Sequence, residues 1–311
     1  MSKNILLIAS ARESEEEVQF ISTVIRRVMR KFRKPVRCSF LTHIVVGECR
    51  HSETARHIVA EEIIRHDAAL WNCRSKAELA DTELLRHELG IEAELHYIAG
   101  RCVVCPCYDS SSEKTASLAA ESLALSEKSA AFAVKRAYEK AAKRQKRIAV
   151  CTDETAYKTD AMLVRETELA ARLMRDMETE RFSSDEAIWK HLTVAPFTDV
   201  ILAGIGCGRT LVLQLGASMR SPGGYVSCEG ENMRVYRPEL LPFAEYGNGR
   251  FARLALAAAA ILENEAEAPA AAQWLRRCVG IADVRCAAAS ADEYRSELLR
   301  AVDDRIRNRR S

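Results

Sequence analysis

Residues 148–163, IAVCTDETAYKTDAML, join an apolar run to the start of a helical pattern. Ile148, Ala149, Val150 and Cys151 read as a buried strand; Leu163, Leu169, Ala170, Leu173 and Met174 recur at the spacing of one helix face. A strand feeding directly into a helix is the unit from which parallel sheets are built. The same alternation runs outward in both directions. Asn4–Ala9 reads as a first buried strand, and Phe20, Ile21, Val24, Val28 and Phe32 follow helical spacing until Pro35 stops the helix. Val36–Val46 reads as strand, Thr54–Arg65 as helix, Ala68–Cys73 as strand and Glu78–Leu89 as helix, followed by short strands at Glu94–Ile98 and Cys102–Cys105. Downstream, Ser126 is placed to cap a long helix through Lys143, Asp199–Gly204 reads as a strand, and Leu211–Met219 is helix-compatible. A Gly/Pro-punctuated region from Pro222 to Asn248 precedes the Ala-rich helix FARLALAAAAILE. The expectation is an α/β fold: a mainly parallel sheet flanked by helices.

At 311 residues the chain is long enough for two lobes. Its 48% hydrophobic and 29% charged residues are ordinary for a globular protein and exclude extensive disorder. With 13 Gly and 7 Pro, long regular elements are expected; the Ser-rich run from Asp109 is the linker candidate. A net charge of +2 gives no basis for nucleic-acid binding, which rests only on local patches: RRVMRKFRK (26–34), KRQKR (143–147) and the RIRNRR tail. Those patches fit RNA or an acidic protein surface; the first is also the solvated face of an amphipathic helix. The apolar run near the start is too short to span a membrane. Eleven cysteines with no repeated spacing, and no visible signal peptide, predict free thiols in a reducing, intracellular compartment. CVVCPC (Cys102, Cys105, Cys107) lacks the second ligand pair that structural zinc requires, so it reads as a strand of buried free cysteines.

Three segments in order, LRHELGIEAELHY (85–97), LALSEKSAAFAVKRAYEKAAKRQKRIAV (123–150) and FTDVILAGIGCGRTL (197–211), carry a resemblance. The chain resembles the isocitrate and isopropylmalate dehydrogenase family over most of residues 80–265. Members of that family oxidise and decarboxylate a 2-hydroxy acid with NAD or NADP and a divalent metal. The resemblance implies a two-lobed fold: a large discontinuous lobe of residues 1–91 and 222–311, and a small lobe of residues 92–221 holding the site and interface helices.

The site this resemblance points to is degenerate. The family strand ends in V-D-K-x-N, whose lysine assists proton transfer; Thr152, Asp153 and Glu154 stand there instead. A carboxylate at 154 carries the wrong charge to stabilise a developing enolate oxygen. Lys158 lies about one helical turn further, roughly 6 Å away. Of the metal-binding aspartates one persists as Asp185, for which a helix N-cap is the plainer reading, while those of G-D-I-L-S-D fall on Arg209 and Leu213. After the first strand, ASARESEEE has no glycine and brings Glu13, Glu15, Glu16 and Glu17 to where a pyrophosphate would lie. Leu240 and Leu241 replace the His-Gly pair of the adenosine segment, and Arg253 its asparagine. GIGCGR lacks the full G-x-G-x-x-G spacing of a dinucleotide fingerprint.

Of the substrate pocket, Arg86 matches the first family arginine, while the second has become His96. Arg101 and Tyr108 keep the spacing of a family Arg…Tyr pair, although the stretch before them is shortened. The segment Leu211–Ala217 exchanges acids for aliphatics, which predicts either an association face or packing within its own lobe. The expectation is a non-catalytic relative, binding no metal and no cofactor, that acts as a structural or accessory subunit of a larger protein assembly, in the mitochondrial matrix rather than the cytoplasm. Two alternatives stand beside it: a regulatory subunit of a hetero-oligomeric NAD-dependent isocitrate dehydrogenase, and an RNA-protein particle component.

Overall fold

The computed structural model describes residues 2–75, 78–80, 84–98, 100–107, 119–153, 158–183, 185–187, 190, 198–218, 224–240, 249–286 and 290–304. In chain order the elements are β1 (Lys3–Ala9), α1 (Arg12–Lys31), β2 (Val36–Leu41), α2 (His43–Glu48), α3 (Glu53–Ile64), β3 (Ala68–Asn72), β4 (Ile91–Ile98) and β5 (Arg101–Pro106). There follow α4 (Ala119–Ala142), β6 (Arg147–Cys151), α5 (Lys158–Leu173), β7 (Glu178–Phe182), β8 (Val200–Ala203) and α6 (Ile205–Ser218). The last are β9 (Gly224–Gly230), β10 (Arg234–Pro238), α7 (Gly249–Asn264), α8 (Pro269–Arg285) and α9 (Ala291–Asp303).

The chain divides into two compact units. Unit 1 comprises Met1–Leu89, Pro222–Tyr225 and Met233–Ser311; unit 2 comprises Gly90–Ser221 and Val226–Asn232. In unit 1 the strands run β2-β1-β3-β10, parallel throughout. Ile5–Ala9 and Ala68–Trp71 are buried on both faces, as their unbroken apolar runs require of central parallel strands. Ile5, Leu7, Ala9, Leu70 and Tyr236 meet α1, α7, α8 and α9 in one core. The alanines Ala257–Ala260 of α7 are fully buried there, small enough to let α8 approach closely. Helix α1 ends in a Schellman-type turn: Arg33 is left-handed (φ 55°) and the Lys34 N–H donates to Met29 O at 3.0 Å.

In unit 2 the order is β9-β4-β5-β8-β6-β7. Gly100, at φ 80°, turns β4 into antiparallel β5, and β5, β8, β6 and β7 pair in parallel. Helix α4 lays Ala130, Ala133, Val134, Ala137, Tyr138 and Ala141 over Leu95, Val104, Ile148, Val150 and Leu202. No helix among the described residues is long and apolar enough to cross a membrane.

Several sequence expectations are corrected. The strand read as Val36–Val46 stops at Leu41, and α2 takes its second half. The carboxylate of Glu15 captures His43 Nδ1 at 2.7 Å, so a tertiary contact overrides the β propensity of Ile44–Val46. Ser126 is not a cap: α4 starts at Ala119 and buries Ser126 in its interior. The Gly/Pro-punctuated region contains two strands, β9 and β10, and two further helices, α8 and α9, follow α7. Most of the Ser-rich run lies outside the described residues.

Candidate functional site

In open parallel sheets, ligands sit beyond the carboxyl ends of the strands, where helix N-termini converge. In unit 2 that edge is formed by Cys151 of β6 and Ala203 of β8, from which α5 and α6 depart. Asp160, fully buried in the first turn of α5, accepts the Asp153 N–H at 2.8 Å. The Gly204 N–H donates to Cys151 O at 2.9 Å, and Cys207 Sγ donates to the same carbonyl at 2.7 Å. Burial raises the Cys151 thiol well above its ordinary pKa, and neighbouring Cys207 and Cys105 raise it further, so it stays protonated and poor as a nucleophile.

Arg209 is exposed on the first turns of α6, and Leu213 is half-buried one turn on. Leu211, Val212 and Leu215 are buried, in a helix that packs on β5 and β4, so these aliphatics serve their own unit. Asp185 is exposed and is not an N-cap: Ser183 Oγ accepts the Glu186 N–H at 3.3 Å, and Glu186 returns a carboxylate to the Ser183 N–H at 3.0 Å. Among the described residues no three His, Cys, Asp or Glu side chains are grouped to hold a metal. At the α6 positions for which the resemblance implies metal carboxylates, Arg209 and Leu213 present a guanidinium and an isobutyl group, neither of which is an oxygen ligand. Cys102 is fully buried, while Cys105 of β5 and Cys107 just after it are half-buried, so the reading of all three as buried is corrected.

Arg101 opens β5 beside Asp199, and burial lowers its pKa. It lies at the amino end of its strand, the opposite edge of unit 2 from Cys151 and Arg209, because β5, β8 and β6 run parallel. The structure thus separates Arg101 from Arg209. Arg86 is half-buried in unit 1, His96 faces Glu94 at 3.5 Å, and Glu154 and Tyr108 lie outside the described residues.

The carboxyl edge of unit 1 is built differently. Helix α1 has no side-chain cap at Ala11 and carries Glu13 and Glu15 in its first turn, where acids favour the helix dipole. Glu13 meets Arg74 at 3.4 Å, and the His43 hydrogen bond lowers the pKa of Glu15. Glu17 is buried and is the acceptor for Asn72 Nδ2 at 2.7 Å, with the Arg250 guanidinium on its other oxygen. Arg74 Nε approaches that second oxygen at 3.8 Å. Glu78 holds the Arg74 N–H at 2.9 Å, while burial raises its pKa. Nearby, Trp71 Nε1 donates to Ser10 Oγ, and Arg253 is buried on α7. Glu17 was legible only as one acid of a cluster; nothing in the sequence announced Asn72, Arg74 and Arg250 as its partners.

Several side chains of the 26–34 and 143–147 patches are engaged within the chain, and the RIRNRR tail lies outside the described residues. Arg26 donates to Cys38 O at 3.3 Å and Arg27 pairs with Asp303. Lys31 donates to Val302 O at 3.0 Å and lies 4.2 Å from the Trp274 ring centroid. Arg144 binds Gly100 O at 2.9 Å, Lys146 meets Asp176 at 2.8 Å and Arg147 meets Glu178 at 2.9 Å.

No family model matches the sequence, and no curated protein matches it. Solved structures do match it. A β-decarboxylating dehydrogenase from Thermococcus kodakarensis aligns with a TM-score of 0.71 at 17% identity, covering 98% of this chain and 97% of that one. An isocitrate dehydrogenase from Methylococcus capsulatus gives 0.71 at 13% identity over 98% and 100% of the two chains. A chain of the Euglena gracilis mitochondrial ATP synthase peripheral-stalk structure gives 0.69 at 15% identity, over 97% and 100%. The chain has the fold of isocitrate/isopropylmalate-type β-decarboxylating dehydrogenases.

Proposed function

We propose that this chain, built on the β-decarboxylating dehydrogenase fold, is a non-catalytic accessory or structural subunit of a larger protein assembly, most naturally a mitochondrial one. The observation that carries the reading is the side-chain set on α6: exposed Arg209 and half-buried Leu213, where a divalent cation needs carboxylates. A fixed positive charge there repels the ion, by about 4 kcal/mol per unit charge at 4 Å in a surface-like dielectric. Glu154 at the family lysine position adds a second mismatch. The match to a chain in the Euglena gracilis ATP synthase peripheral-stalk structure supports a place for this fold inside a large complex.

The regulatory-subunit alternative has less support, because Arg101 stands at the far strand edge from the degenerate site and His96 replaces a second arginine. An RNA role has less still, with the helix and loop patches spent on internal carbonyls and carboxylates. The test is purification of the tagged chain at native abundance, followed by mass spectrometry of stoichiometric partners and an oxidation assay. A discrete salt-stable complex with no NAD(P)-dependent oxidation of isocitrate, isopropylmalate, malate or tartrate is expected. Metal-dependent turnover by the isolated chain overturns the proposal; a stoichiometric dehydrogenase partner whose activity needs this chain favours the regulatory alternative.

A further inference from the structure

We infer that Glu17 fills, with its own carboxylate, an oxyanion site at the carboxyl edge of unit 1, so that the chain supplies internally the charge a phosphate-bearing ligand would bring. The inference deepens the non-catalytic reading and rests on it. Its frame is the edge where β1 ends at Ala9, β3 ends at Asn72, and α1 and α7 begin at Arg12 and Gly249. An anion is favoured there by the exposed N–H groups and dipoles of the helix starts.

Three segments converge on the one carboxylate. Asn72 comes from the end of β3, Arg74 from the loop after it and Arg250 from the first turn of α7. Two guanidinium groups and an amide N–H form a donor set suited to a tetrahedral oxyanion, since guanidinium binds carboxylate and phosphate through the same fork. Glu17 is only 4% exposed, so it is a built part of the site rather than a surface side chain resting nearby. Asn72 is fully buried, and its Oδ1 has no hydrogen-bond partner among the described residues. An amide held with its acceptor idle is oriented for the sake of its donor. The flanking acids do not substitute for Glu17: Glu13 touches only the outer Nη1 of Arg74 at 3.4 Å, and Glu78 is held by the Arg74 backbone at 2.9 Å. Removing Glu17 leaves Arg74 and Arg250 without the carboxylate that both face, with Glu78 acting on Arg250 only through space.

The experiment compares melting temperatures of the full-length wild type, Glu17→Gln and Glu17→Ala. Each is measured without additive, with millimolar inorganic pyrophosphate, with NAD, and with chloride at matched ionic strength. Both variants are expected to melt several degrees below wild type. Pyrophosphate is expected to restore most of that loss in Glu17→Ala, to move wild type by less than a degree, and to lose its effect when Arg250→Leu is added. Should neither variant fold alone, recovery of soluble protein on refolding in pyrophosphate replaces the melt, and no recovery overturns the inference. Equal shifts in wild type and variant, or no pyrophosphate response in the variants, also overturn it. Stabilisation of wild type by NAD overturns the non-catalytic reading itself, and the inference with it.

Discussion

The carboxylate of Asp160 lies over Gly204 so closely that a Cβ at position 204 would fall 2.1 Å from Oδ2. Asp160 cannot retreat without dropping the Asp153 N–H, and the Gly204 backbone is held to Cys151 O at 2.9 Å. Gly204→Ala is therefore expected to destabilise the chain by about 3 kcal/mol, the upper part of the overpacking range. Asp160→Ala in the same chain should recover part of that loss. Denaturant melts of the two single variants and the double variant give the coupling. Additive losses would mean that the two residues do not press on each other.

Within unit 2, Arg136 forks onto Glu229 while Ser227 Oγ donates to the same carboxylate at 3.0 Å. The Glu229 side chain is 2% exposed, so deleting Arg136 takes a guanidinium away from a buried carboxylate. Arg136→Met is expected to cost about 3–5 kcal/mol, and Glu229→Gln in that background to return part of it. Urea unfolding of both variants measures this. A loss below about 1 kcal/mol for Arg136→Met, the range of exposed pairs, would place the pair among weak surface contacts.

In unit 1, Tyr294 is fully buried and its hydroxyl donates to Asp283 Oδ1 at 2.7 Å. Burial raises the pKa of Asp283, with the Tyr294 hydrogen bond opposing the rise. The native state then holds that proton to higher pH than the unfolded chain does. Stability from this group is present at low pH and falls as pH rises through the interval between the two pKa values. Asp283→Asn keeps an acceptor for Tyr294 and removes the charge. It is expected to raise the melting temperature near neutral pH, with the gain shrinking toward about pH 4, the ordinary carboxyl range. A gain that does not vary with pH would assign the effect to something other than this titration.

The fold class was legible because its central strands are buried on both faces, which writes them as unbroken runs such as Ile5–Ala9 and Ile148–Cys151. β7 escaped notice for the opposite reason. It ends its strand order and spends Glu178 and Glu180 on Arg147, so its sequence reads as a polar loop. β9 and β10 bury Ser227, Glu229 and Arg237, and interior charges hide a strand from any hydrophobic pattern. The side chains at Arg209 and Leu213 of α6 could be read directly from the sequence. The network around Glu17 could not, because its four members come from α1, the end of β3, the loop after β3 and α7, and meet only when the sheet forms.

None of the eleven cysteines is in a disulfide, and eight of them are buried, distributed over both units. Burial raises Cys102 of unit 2 and Cys278 of unit 1 each to about 11, so neither reacts while its surroundings stay closed. The chain thus carries its own clocks. A brief maleimide pulse, read peptide by peptide in a mass spectrometer, would time the opening of β5 separately from that of α8, with no label engineered into either.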